Sequence, residues 1–202
     1  MASPHSLTLN PNGDASIIVS RTGDAGNEEI RFRVSRRVVE ELRLPVDKPN
    51  IRLTDNDAAS LTTVELLLRC MELKGSREPQ PLPAGFYAVS IVEVWRVLTL
   101  VDITAVRHFR PGWYKVPCSV LRTWFRAWFK HRQPEFTGRE EYEKLLYPAF
   151  ALGDLAVFAA VTKWLAYDVV GQIREDNQLV NDEGLPIRLY GDMHMPKDVI
   201  RT

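Results

Sequence analysis

The sequence predicts an α+β fold in which helices dominate and a small sheet of about three short strands lies beneath them. Three observations predict it. Apolar–polar alternation occurs only near the N-terminus and only over short spans, as in Glu29–Val34. Beyond Ala58 the apolar residues recur at helical spacing. Near the end, Gly153 and Asp154 stand side by side between two helical patterns, a stop followed by a start.

Residues 1–13 read as a flexible N-terminus punctuated by Pro4, Pro11 and Gly13. Ala15–Ser20 is a short β-rich run. Thr22–Asn27 carries turn residues. Ile30, Phe32 and Val34 share one face of the next strand, with Arg31 and Arg33 on the other, so the pair forms a hairpin. Ser35 suits the cap of a helix to Leu42, which Pro45 and Pro49 stop. Ile51–Leu53 is a third strand. Asp55 or Asp57 suits the cap of a helix over 58–73, striped by Leu61, Val64, Leu67, Leu68 and Met71.

A long loop, 74–89, follows, with Pro79, Pro81 and Pro83. Helices are then expected over 90–105 and from Ser119 to His131. Residues 133–173 read as a helical hairpin, 140–152 and 154–172. Gly153 takes the positive-φ position that ends the first helix, and Asp154 caps the second. Leu155, Phe158, Thr162, Leu165 and Val169 form the expected buried stripe. The region 174–202 is a polar tail. A further helix is signalled at Met195–Ile200, which suggests that the chain runs on beyond Thr202.

With 202 residues, 45% of them hydrophobic, the chain is one domain, or one domain with an extension, and can build a real core. Its 26 basic and 26 acidic residues cancel, which argues against a general polyanion binder. No apolar run approaches the roughly 18–20 residues of a membrane span. The N-terminus lacks a basic region followed by an apolar run, so no signal peptide is expected. Cys70 and Cys118 make neither a disulfide framework nor a zinc pattern and read as core residues. The expected location is intracellular, in nucleus or cytoplasm.

The order of these elements resembles the BTB/POZ domain, in the divergent form abundant in filamentous fungi. Gly13-Asp14 with Ile17-Ile18-Val19 looks like that family's opening and first strand. Ile30–Leu42 looks like its second strand and first helix, with Phe32 and Val34 at the family's aromatic-x-Val positions. Ile51–Leu53 followed by Asp55–Asp57 is similar to its third strand and acidic turn. Val97–Asp102 resembles a core helix, and Trp124 with Trp128 a fungal tryptophan pair. Phe150–Leu165, with Gly153, Asp154 and Phe158, is similar to the signature of the helical extension. Met195-Pro196 with Val199-Ile200 resembles the opening of a final helix.

The chain departs from the family between the first helix and Ile51, where a second helix is missing and only Arg43–Asn50 remain. In the family that helical pair builds much of the homodimer surface and part of the surface offered to cullin ligases. The expectation is therefore a monomer, or a dimer made differently. The family's histidine in the strand-to-helix turn is replaced by Ser35.

One segment mixes aromatic and basic side chains. Arg122, Arg126 and Lys130 are spaced by four, beside Trp124, Phe125, Trp128 and Phe129. Such a mixture can bind single-stranded nucleic acid. The aromatic spacing is also that of a core stripe, which leaves the cations as a solvated face. Core packing is the preferred reading, a protein-binding surface comes second, and nucleic acid is a distant third. Arg122, Arg126, Trp128 and Lys130 are the candidate partner-binding residues. Asp14, Phe32, Val34, Trp124, Gly153, Asp154 and Phe158 are read as structural.

Nothing in the sequence has catalytic spacing. His5, His108, His131 and His194 are scattered, and Met193-His194-Met195 is a single tripeptide without a second cluster. Asp55 and Asp57 suit a helix cap, and Glu140, Glu141 and Glu143 an acidic first turn. There is no glycine-rich phosphate loop, HExxH or GxSxG. The expected function is a non-catalytic protein–protein interaction module, a scaffold or adaptor without cofactor or metal. A cullin-ligase substrate adaptor is one alternative, and a nucleic-acid-associated subunit using 119–132 is another.

Overall fold

The computed structural model describes residues 5–23, 26–42, 44–54, 60–75, 82–107 and 116–168. Readings at Asp55, Asp57, His108 and the tail with Met195–Ile200 lie outside them. The described chain is α+β. Four strands, β1 (His5–Thr8), β2 (Ala15–Gly23), β3 (Gly26–Val34) and β4 (Asn50–Thr54), form one sheet in the order β1-β3-β2-β4. The helices are α1 (Arg36–Glu41), α2 (Leu61–Gly75), α3 (Ile91–Arg107), α4 (Val116–Arg132), α5 (Arg139–Ala151) and α6 (Leu155–Asp168).

The hairpin β2–β3 is antiparallel, with Ile17 opposite Phe32, while β4 joins β2 in parallel, with Val19 opposite Ile51. Ile17, Val19, Phe32, Val34, Ile51 and Leu53 are buried on one face. Arg31, Arg33 and Arg52 are exposed on the other. That is the period-two segregation a half-buried sheet requires.

The sheet has one strand more than expected. β1 lies within the segment read as a flexible N-terminus, and runs parallel to β3 with Leu7 beside Phe32. Its order comes from the ladder: Leu9 and Asn10 continue it by donating to the Arg33 carbonyl. The link to β2 then crosses the end of β3 at close range. A Cβ on Gly13 would lie 2.5 Å from the Val34 carbonyl oxygen, so only glycine fits there. Asp14 Oδ1 accepts the Arg36 N–H and so caps α1 from a distance. Ser35 stands at the cap position but makes no side-chain capping bond. The Glu72 carboxylate accepts from both the Ser35 N–H and Asn10 Nδ2, tying α2 to both segments.

α2 begins at a reciprocal cap. The Thr63 hydroxyl accepts the Ser60 N–H, and the Ser60 hydroxyl accepts the Thr63 N–H. In the expected long loop 74–89, Lys74 and Gly75 still belong to α2, and the described residues 82–89 are structured. A 3-10 turn spans Ala84–Tyr87, and Leu82 and Phe86 are buried. α4 starts earlier than expected, at Val116, because Pro117 falls in the first turn, where its missing N–H costs nothing. One hydrophobic cluster runs from Ile17 to Leu165, so the α5–α6 hairpin shares the core of the preceding chain.

Cys70 is buried in that core, and burial pushes its thiol up to about 12. In a Cys118→Ser background, Cys70 is expected to resist alkylation at pH 8 until denaturant is added. Rapid alkylation of the folded chain, followed by thiol titration, would contradict its placement. The folded state keeps this proton to higher pH than the unfolded chain. Its contribution to stability is therefore intact below the ordinary thiol range and declines as pH rises toward about 12.

Candidate partner-binding surface

α4 sorts its residues by face. Leu121, Trp124, Phe125, Trp128 and Phe129 are buried, while Arg122, Arg126 and Lys130 are exposed. The core reading of the aromatic stripe is therefore the right one, and Trp128 is not a surface anchor. It is fully buried, 5.6 Å from the Phe125 ring and 6.2 Å from that of Phe136. The two tryptophans also hold the segment before α3. Trp124 Nε1 donates to the Phe86 carbonyl and Trp128 Nε1 to the Val89 carbonyl, each at 2.9 Å. A buried indole needs such a partner. Here the partner is a loop with no ladder of its own.

The α5–α6 turn forms as its two key residues predict. Gly153 has φ +63°, its N–H donates to Phe150 and that of Asp154 to Ala149, so both orphan carbonyls are satisfied. The Leu152 carbonyl accepts Arg122 Nε at 3.0 Å. Asp154 is wholly buried, and its Oδ1 accepts the N–H groups of Ala156 and Val157. Arg126 closes the site with a two-pronged pair, Nε to Oδ2 at 2.9 Å and Nη2 to Oδ1 at 3.2 Å. This hydrogen bond, then the charge of Asp154, raises the Arg126 guanidinium above its ordinary value. A buried carboxylate with this many donors is a structural cap. Arg122 and Arg126 are thus engaged in fastening the hairpin, although the Arg126 side chain remains 60% exposed.

Gly153→Ala forces a side chain into the left-handed region, and should cost about 1 kcal/mol or slightly more in urea unfolding. An unchanged midpoint would contradict the positive φ.

The phase of α6 differs from the expected stripe. Val157, Val161 and Leu165 are buried, whereas Leu155 is 81% exposed. Phe158 is only half-buried, against the ring of Phe150 at 6.4 Å. Its truncation should therefore cost less than the about 3–5 kcal/mol of a core ring, with thermal unfolding as the check. Tyr167 is 82% exposed and Phe150 41%. The hairpin thus carries three of the four large apolar side chains that stand exposed among the described residues, the fourth being Val46. One signal in the sequence could have found them. Lys163 is the only charged residue in 155–167, and its row is Leu155, Ala159, Lys163 and Tyr167.

Among the described residues, no group of three or more His, Cys, Asp or Glu could hold a metal ion. No helix among them is long and apolar enough to cross a membrane. No family model, curated protein or solved structure matches the chain.

Proposed function

We propose that this chain is a non-catalytic protein–protein interaction module, as the BTB-like order of its elements implies, working as a scaffold or adaptor in the nucleus or cytoplasm. The observation that carries the reading is the exposure of Leu155, Tyr167 and Phe150 on one helical hairpin whose other side is built into the core. These side chains, which the core does not use, are the contact residues of the proposed surface. The hairpin backing them is rigid: its turn is fastened by Gly153, Asp154, Arg122 and Arg126, and Trp164 stacks on Tyr142 at 4.2 Å. A preformed surface loses little entropy on binding.

The partner site moves accordingly from the aromatic residues of α4 to α6. Arg122, Arg126 and Lys130 become a basic flank, with Trp128 supporting from within. Only residues 42–49 separate α1 from β4, and they hold no helix among those described, so dimerisation through α1 is not favoured. The test is parallel capture from a lysate of the source organism with the wild-type chain and a Leu155→Glu/Tyr167→Glu variant. A protein retained by the first and lost by the second supports the reading. A protein retained equally by both contradicts this placement of the surface.

A further inference from the structure

The outer face of α6 also defines what kind of partner it takes; this inference rests on the reading just given. Ala156, Ala159 and Ala166 are exposed between Leu155 and Tyr167. Leu155 and Tyr167, about 18 Å apart along the axis, bound a floor of alanines on which Lys163 is the one long side chain. Such a floor lets a second helix approach to about 8 Å between axes. A strand offers no matching repeat.

The one charged side chain on this floor is a cation. No carboxylate occurs between Leu155 and Tyr167, and Lys163 lies on the face itself. At the N-terminal end, Arg126 reaches Asp154 and Arg122 reaches Leu152, which brings these two side chains to the residues just before Leu155. Arg122 and Lys163 have no carboxylate partner among the described residues. The one carboxylate at that end, Asp154, is buried and already paired. A second copy of this chain is a poor occupant. Two-fold pairing along α6 would bring both Lys163 ammonium groups to one seam with no acid to receive them.

We propose that α6 docks an amphipathic α-helix of another protein, with its apolar stripe on Leu155, the alanines and Tyr167. Aspartate and glutamate residues flanking that stripe face Lys163 and Arg122. Apolar contact supplies the affinity, and the charge selects against neutral and basic helices.

The test is fluorescence anisotropy of the full chain with two labelled model helices of about 18 residues. They share a leucine stripe and differ only in flanking glutamate or lysine. The acidic helix should bind at least about tenfold more tightly, with the difference shrinking in 1 M salt. Leu155→Glu and Lys163→Glu should each weaken it by about tenfold without moving the Tm, since both side chains are exposed.

Equal binding of both helices, or of neither, overturns the proposal. So does a dimer in light scattering that Leu155→Glu dissociates. So does acidic-helix binding that emerges only in a Glu175→Lys/Asp176→Lys chain, which would make this chain's own acidic segment the occupant. If the helices fail but Leu155→Glu/Tyr167→Glu still loses a captured protein, the interaction module stands and only this partner chemistry falls.

Discussion

Trp128→Ala is expected to lower the unfolding free energy by about 3–5 kcal/mol, the range for a fully buried large aromatic. The ring is buried among Trp124, Phe125 and Phe136, and its Nε1 holds the Val89 carbonyl. Trp128→Phe should recover most of that, leaving about 1 kcal/mol for the lost hydrogen bond. Chemical denaturation measures both. A surface anchor would behave in the opposite way: truncation would leave stability nearly unchanged and weaken partner binding. Such a result would return Trp128 to the interface.

Trp95→Ala should be of similar size, about 3–5 kcal/mol, and it asks a different question. Trp95 lies on α3, is wholly buried, stacks on Tyr147 of α5 at 5.2 Å and donates from Nε1 to the Lys144 carbonyl at 2.9 Å. It is therefore a bolt between the preceding chain and the hairpin. If the two share one core, the variant should unfold in a single transition at a lower midpoint, by both tryptophan fluorescence and circular dichroism. Two separated transitions would mean that the hairpin is a unit of its own.

The element types were legible where the chain is strongly periodic. Ile30, Phe32 and Val34 alternate, and the aromatic stripe of α4 repeats at helical spacing; both were visible because each has polar residues opposite its apolar ones. The hairpin turn was legible because positive φ and helix capping are local demands that Gly153 and Asp154 meet themselves. β1 was not. His5–Thr8 shows no clean alternation, and its strand state depends on a parallel partner twenty-odd residues away, which local pattern does not encode.

The candidate site was half legible. Arg122, Arg126 and Lys130 were placed outward, as their spacing says, but what they touch was hidden. The pairing of Arg126 with Asp154 joins α4 to the start of α6 and has no local signature. The inward stripe of α6 was misphased because Leu155–Tyr167 is apolar on almost every side. Periodicity sets a phase poorly where so few polar residues stand in contrast, and Lys163 is the single charged marker.

The most direct measurement of where the partner binds is photo-crosslinking of a captured partner from probes placed singly at positions 155, 167 and 46. Val46, 53% exposed in the segment between α1 and β4, is the control. Crosslinks from 155 and 167 with none from 46 are the predicted result. Crosslinks from 46 with none from 155 or 167 would contradict the assignment of the α5–α6 hairpin as the binding surface.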